Sequence, residues 1–389
     1  MPLILLRQFI KKGFIVTNII VAIFFLLGCY AKWFDPATWW FIGLFTLFAV
    51  YLFWILCLFF LFWLFVEPKL SLIFILVIAL AWKPIQNIIP FRSSSSFTIE
   101  KQPNSLRIMS WNVAQFNILD DKKHPEVRKQ MLALINKYQP DIACFQEMVA
   151  GDKPVDLNTL YYRKFRFYPL SSFIDSLHFP EFFYGYNYKE DFLDNQHFGI
   201  LILSKYKLIN RHAVMKYPYD YNSIFQYADM VKGNDTFRIF NVHLQSLKFT
   251  PTNLNYIDSP SLESREDIEK SQSVIGKIKI GFLKRKAQAE LVKEEIDRSP
   301  YRVILCGDFN DVPNSYAYAT IGKGLQNAFV EKGSGIGRTF SGISSTLRID
   351  NIFLDDDFTV EQFTKINKKL SDHYPVITDI SLKQKRPSP

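Results

Sequence analysis

Cysteine is scarce in this 389-residue chain: Cys29, Cys57, Cys144 and Cys306 are the only four. None stands at a C-x-x-C spacing from another. The first two fall in apolar runs and the other two in predicted buried strands. That pattern excludes a disulfide framework and a thiolate metal centre as organising features, and all four read as reduced and structural. Ionised side chains are missing from Phe14–Ala31, Thr38–Val66 and Leu70–Trp82. Without an intramembrane charge, an ion or proton pathway is excluded as the task of these segments. Net positive charge is thin elsewhere. Of the overall +9, residues 1–97 contribute +5 and the rest of the chain only +4. The excess therefore flanks apolar runs and gives little footing for nucleic acid.

The uncharged runs approach or exceed the roughly 20 residues that a bilayer core demands of a helix. Trp33, Trp39, Trp40, Trp63 and Trp82 lie near their ends, as interfacial aromatics do. The expectation is an all-α transmembrane region over residues 1–92 with helices at 14–31, 38–66 and 70–89. The last of these is short unless Lys83 snorkels. Arg7, Lys11 and Lys12, against a first loop carrying Lys32 and Asp35, favour a cytoplasmic N-terminus. Three crossings then place the remainder outside the cytoplasm, in a multi-pass protein of a bacterial inner membrane. Residues 93–104, opening on Ser93–Ser96, read as a flexible linker, and 383–389 as a tail.

The globular part centres on Val303–Pro313. Val303–Cys306 is a short apolar run that reads as a strand buried on both faces, and Gly307 ends it. Asp308 and Asn310 follow two apart, on one side of extended backbone. A carboxylate can take a proton from water, and a carboxamide can hold that water or a phosphate oxygen. The same pair also suits a plain Asx turn capping a strand. Other apolar strands also carry polar groups at or near their ends. Asn112 follows Leu106–Trp111, and Glu147 follows Ile142–Gln146. Asn241 and His243 share one face of the strand Phe237–Leu244. Asp350 lies within Leu347–Leu354, and Asp372–His373 precede the final strand Val376–Ile380. A helix is expected over 124–137 and another over 281–297, the latter with a basic run. Residues 151–195 read as rim loops, with an aromatic-rich loop at 179–188 that is either an interfacial contact or a small core of its own. Residues 246–280 read as a long polar connection.

Hard oxygen donors without cysteine argue for Mg²⁺ or Mn²⁺ rather than zinc. In order, SWN (110–112), FQE (145–147), NVHL (241–244), GDFN (307–310), RIDNI (348–352) and SDHYP (371–375) resemble the successive motifs of the endonuclease/exonuclease/phosphatase superfamily, the deoxyribonuclease-I-like fold. The resemblance covers about residues 105–382. It implies an α/β, four-layer α/β/β/α sandwich with the site at one edge, and a metal-dependent hydrolase of phosphodiesters or phosphomonoesters. It further implies that Glu147 binds the cation with Asn112 beside it and Asp372 completing the shell, and that Asp308 activates the attacking water. Asn310 would position phosphate and His373 would donate to a phosphoryl oxygen, with Asp350 holding its imidazole. His243, with Asn241 on its strand face, would add to the phosphate contacts. The abasic-site endonuclease branch generally lacks the histidine that stands here as His243. The implied partner is a phosphate-ester substrate, either nucleic acid or a phospholipid headgroup. The competing reading is a catalytically silent, membrane-tethered binding protein on the same fold.

Overall fold

The computed structural model describes residues 2–92, 96–151, 168–186, 196–214 and 225–383. It opens with α1 (Pro2–Cys29), the single turn α2 (Pro36–Trp39), α3 (Ile42–Val66) and α4 (Leu72–Ile88). Three spans, Leu5–Cys29, Ile42–Val66 and Pro68–Ile88, are 25, 25 and 21 residues long with mean hydropathies of 2.1, 2.6 and 1.7. All three are long and apolar enough to cross a membrane. The third exceeds its apolar run because the 3₁₀ turn Pro68–Ser71 feeds directly into α4. Pro84 sits inside α4 and cannot donate to the Leu80 carbonyl, so the Tyr30 hydroxyl donates to it instead. Phe25, Cys29, Leu56 and Ala81 fill the centre of the bundle, while Leu58, Phe65 and Leu76 face outward. Lys11 pairs with Glu67 at 2.6 Å and marks one end of it.

Among the described residues, twelve strands build the second body. They are β1 (Leu106–Asn112), β2 (Ile142–Gly151), β3 (Glu181–Tyr186), β4 (Gln196–Ser204), β5 (Lys207–Val214), β6 (Phe225–Lys232), β7 (Asp235–His243), β8 (Arg302–Asp308), β9 (Leu325–Asn327), β10 (Asp350–Asp355), β11 (Phe358–Lys365) and β12 (Val376–Leu382). One six-stranded sheet runs β11-β12-β1-β2-β4-β3 and the other β5-β6-β7-β8-β10-β9. Each holds one parallel pair, β1 with β2 and β7 with β8, and is otherwise antiparallel. A parallel pair needs a crossover, and helices supply it. These are α5 (Pro125–Tyr138) between β1 and β2, and α7 (Pro251–Asp258) with α8 (Arg265–Asp297) between β7 and β8.

Strands buried on both faces need consecutive apolar residues, and Val303–Cys306 of β8 supply them. Ile304 and Cys306 point between the sheets, with Ile108, Ile142, Cys144 and Ile239. Val303 and Leu305 point outward to Ala289 and Val292 of α8 and to Ile321 of α9 (Tyr316–Ile321). On the far side, α5 and α6 (Leu170–Leu177) cover Trp111 and Phe145 through Met131, Ile135 and Phe173. The result is the expected four-layer α/β/β/α sandwich, with α10 (Ala328–Lys332) packed at the β9–β10 end.

The sandwich docks on the end of the bundle remote from Lys11 and Glu67. Lys286 lies 3.8 Å from Asp35, and the Tyr51 hydroxyl lies 2.9 Å from the Ser344 hydroxyl. Asn314 donates to the Pro84 carbonyl at 2.9 Å and accepts from Asn87 at 3.0 Å. The guanidinium of buried Arg348 donates to the carbonyls of Asn87 and Ile88, the latter at 3.2 Å. Those are last-turn carbonyls of α4 that have no helical donor, and a cation suits the negative end of the helix.

Two expectations are corrected. The polar connection 246–280 holds α7 and the first half of α8, because Thr250 with Asn253 and Ser264 with Asp267 form capping boxes that start helices there. The aromatic stretch from Phe179 is not a loop. Glu181–Tyr186 is the edge strand β3, with Phe182, Tyr184 and Tyr186 toward α6 and Phe183 between the sheets. Its last two residues, 187 and 188, lie outside the described residues, as do most of the expected rim loops, Ser93–Ser95 of the linker and all but Lys383 of the tail. From Phe97 the linker is already attached, since Thr98 bonds Gln362 and Phe97 lies against Arg107.

Candidate active site

Strand register assembles the site. In the parallel pair, His243 at the end of β7 stands opposite Asp308 at the end of β8. In the antiparallel pair, Asp350, the first residue of β10, also stands opposite Asp308. The sequence pattern put Asp350 inside its strand, but the strand begins at it. Asn112 ends β1 and reaches across from the other sheet to donate to Asp308 Oδ2 at 3.0 Å. The backbone N–H of Asn310 donates to Asp308 Oδ1 at 2.8 Å, so the Asx turn and the poised carboxylate are one arrangement. Asn310 Nδ2 donates to the Leu244 carbonyl at 2.9 Å, which leaves its Oδ1 for the cleft. Glu147 is not at a strand end as expected. It occupies a bulge of β2, where pairing with β4 shifts between Phe145 and Met148 and its φ is +52°. A bulge re-aims a side chain, and this one turns Glu147 toward the site.

His373 Nδ1 meets Asp350 Oδ2 at 2.9 Å, and its Nε2 lies 3.6 Å from Asp308 Oδ2. Burial would lower the His373 imidazole, but the Asp350 and Asp308 carboxylates and the bond to Asp350 outweigh it and raise it to about 10. Burial raises Asp308 to about 6, with the Asp350 charge adding and the His373 charge opposing. Burial lowers His243, against the pull of Asp308. Its Nε2 lies 3.6 Å from Asp308 Oδ2 and 3.7 Å from Glu147 Oε1, and neither ring nitrogen has a hydrogen-bond partner among the described residues. A buried, unpartnered imidazole aimed between two carboxylates is poised for a ligand. Glu147, Asp308, Asn310, Asp372 and His373 line one cleft of about 530 Å³.

The profile of the Endonuclease/Exonuclease/phosphatase family matches residues 109–373, more than half of the chain. The chain belongs to the endonuclease/exonuclease/phosphatase family. A domain of unknown function (DUF8431) matches residues 11–88. No curated protein sequence matches this chain. An endonuclease/exonuclease/phosphatase family protein from Bacteroides thetaiotaomicron is similar at 17% identity and a TM-score of 0.48, over 75% of this chain and 99% of its own. The endonuclease/exonuclease/phosphatase from Beutenbergia cavernae is also 17% identical with a TM-score of 0.48, over 72% of each chain. The human Nocturnin catalytic domain, solved with bound sulfate, is 18% identical with a TM-score of 0.47, over 72% of this chain and 94% of its own.

Members of this family are generally metal-dependent hydrolases of phosphoester bonds, and the donors here suit a hard cation. Glu147 is raised by burial and by repulsion from Asp372, and two carboxylates this close would be suited to share a hard cation. Gln115 Nε2 fixes Glu147 Oε2 at 2.7 Å. A second grouping, Asp308, Asp350 and His373, offers ligand atoms within 4.8 Å of one another. Its His373 Nδ1 and Asp350 Oδ2 are already bonded to each other, so the Glu147 side is the better fit.

Of the other predicted residues, Asn112, His243 and Asp350 stand behind the cleft lining, against Asp308 or His373, and the one held away from both is Asn241. It is fully buried between the sheets, donating to the Phe145 and Leu201 carbonyls at 3.0 and 3.1 Å and accepting from Gln146 at 2.7 Å. With its amide committed to the β2 bulge, it is placed to hold Glu147 rather than phosphate. Residues not singled out from the sequence also hold the site. Trp111 Nε1 donates to the His373 carbonyl at 2.9 Å, Thr339 Oγ1 accepts from the Asp350 amide at 3.1 Å, and Phe340 lies 4.9 Å from the His373 ring. Gln115 follows SWN closely enough to have been a candidate; Thr339 lies in a Gly/Ser-rich loop with no local signal.

Proposed function

We propose that the protein is a membrane-anchored, Mg²⁺- or Mn²⁺-dependent phosphoesterase. The observation that carries this reading is Asp308, a buried carboxylate held by Asn112 and by the Asn310 amide, with His243 and His373 converging on it at 3.6 Å. Asp308 takes a proton from a water lying against phosphorus. The water oxygen bonds to phosphorus as the bond to the departing alcohol oxygen breaks, and the alcohol leaves with a proton taken from solvent. His373 donates from Nε2 to a phosphoryl oxygen, while Asp350 at Nδ1 keeps the ring in that orientation. Asn310 Oδ1 orients water or phosphate, and His243 faces the same phosphate. Glu147 and Asp372, with Asn112 beside them, would hold Mg²⁺ or Mn²⁺, which would supply positive charge at the phosphoryl oxygens.

The full-length protein in detergent should hydrolyse a chromogenic phosphodiester with Mg²⁺, and Asp308→Ala should abolish it. Turnover by the Asp308→Ala variant at the wild-type rate would overturn the reading. We further propose that the sandwich lies outside the cytoplasm of a bacterial inner membrane. The positive N-terminus supports this, as does docking of the sandwich at the bundle end opposite Lys11 and Glu67. Protease added to intact spheroplasts should then cleave the sandwich; protection until lysis would place it in the cytoplasm.

A further inference from the structure

The cleft has two unlike walls. One carries the carboxylates and imidazoles already described. The other is apolar and includes Leu47 of α3, Leu247, Leu254, Ile257, Ile343 and Leu347. Leu47 belongs to a helix that is long and apolar enough to cross a membrane, so part of the wall is part of a span. At a rise of about 1.5 Å per residue, Leu47 lies about 8 Å along α3 from Ile42 and Tyr51 about 14 Å. The loop bearing Ile343 follows α3 to that depth, because the Ser344 hydroxyl meets the Tyr51 hydroxyl at 2.9 Å. The 25-residue α3 is about 37 Å long and a hydrocarbon core roughly 30 Å thick, so with α3 centred in a bilayer the core would begin about 4 Å past Ile42, and Leu47 and Tyr51 would lie below headgroup level. The apolar surface continues past the rim: Leu254 of α7, Leu262, and Ile268 and Ile275 of α8 are all exposed.

Charge points the same way. A nucleic-acid groove carries a run of cations matched to successive phosphates. Beside His373, the cationic side chains lining this cleft are Lys248 and Arg285, and the Arg285 guanidinium is held by Asp311 at 3.1 Å and by the Gln245 carbonyl at 3.0 Å. An apolar wall of this extent instead matches an aliphatic chain, which is favoured by each methylene removed from water.

Resting on the phosphoesterase reading, we infer that the substrate is a membrane lipid phosphoester, its phosphate at Asp308 and His373 and its aliphatic chain against Leu47 and Ile343. The lipid enters sideways from the bilayer and reaches the site without leaving the membrane. Bond making and breaking are those of the hydrolysis above, with a lipid alcohol or its headgroup alcohol as the departing group.

The test uses the full-length protein in nanodiscs with Mg²⁺, and compares long-chain phospholipid with a soluble chromogenic phosphodiester. Leu47→Trp and Ile343→Asp should each lower the ratio of long-chain to soluble kcat/KM at least tenfold. An unchanged ratio in both variants, or a better kcat/KM on single-stranded DNA, RNA or a chain-free phosphate ester than on any long-chain lipid, overturns the lipid assignment while leaving a phosphoesterase. Absence of all hydrolysis by the wild-type protein would instead count against the phosphoesterase reading. The lipid site is then read by binding: a phospholipid with a diazirine in its acyl chain should label the peptides holding Leu254 and Ile343. Absence of label there overturns the inference whatever the activity.

Discussion

Replacing Gly307 by alanine puts a methyl group where two parallel strands pass closest beside the site. Its Cβ would stand 2.9 Å from the Val242 carbonyl carbon and 3.0 Å from the Val242 Cβ, with the carbonyl oxygen nearer still. Carbon atoms settle at about 3.5–4.0 Å, so β7 and β8 must part by roughly half an ångström to one. The atoms in the way are backbone, which cannot rotate aside. Overpacking of this kind costs about 1–3 kcal/mol. The displacement falls one residue from Asp308 and on the register pair His243–Asp308. A misplacement of about 1 Å can cost about 100-fold in rate. Gly307→Ala should therefore lower both the unfolding temperature of the detergent-solubilised protein and kcat on a soluble phosphodiester, the latter by about 10- to 100-fold. Gly276→Ala in α8 is the control. A Cβ there meets nothing within 4 Å, and alanine should stabilise the helix by up to about 1 kcal/mol. Wild-type melting and wild-type kcat in Gly307→Ala would refute the claim that β7–β8 register sets the site.

Chelation by EDTA should abolish hydrolysis and Mg²⁺ or Mn²⁺ should restore it, while Glu147→Ala should shift the metal titration to higher concentration; full activity in excess EDTA would refute the cation assignment. Asp350→Asn keeps a hydrogen-bonding group against His373 Nδ1 but removes the charge behind it, and should lower kcat about 100- to 10,000-fold with KM little changed. If the Asp350→Asn and His373→Ala losses multiply in the double variant, the two residues do not act as a unit.

Much of the sandwich was legible because its central strands are apolar throughout and end on polar residues. Ile304–Asp308 and Ile142–Glu147 declare both burial and a site, and the order of such ends along the chain placed them together. Three kinds of information were not legible. Edge strands such as β3 and β5 pack each face differently, so the aromatic alternation of Glu181–Tyr186 passed for a loop. The bulge at Glu147 depends on Asn241, almost a hundred residues away, holding carbonyls of β2 and β4. Local periodicity carries nothing about such a partner. The starts of α7 and α8, by contrast, were written in Thr250–Asn253 and Ser264–Asp267, and the polarity of the segment hid them. Leu47 was the least legible of all, since an aliphatic residue in an apolar helix gives no sign that it borders the cleft.

Arg348 limits how this chain can be divided. Burial lowers its guanidinium to about 10, and three backbone carbonyls, those of Asn87, Ile88 and Ile336, accept from it. Two of those acceptors belong to the membrane bundle. Cutting the chain at the linker would strand a desolvated cation two residues from Asp350, at a cost of several kcal/mol that water could recover only by opening the loop. A fragment starting at Phe97 should accordingly melt well below the intact protein, or lose order around Asp350. The bundle and the sandwich thus share buried hydrogen bonds through Arg348. On the proposed reading, a chain that failed to seat α4 in the bilayer would also fail to hold the loop that leads into Asp350.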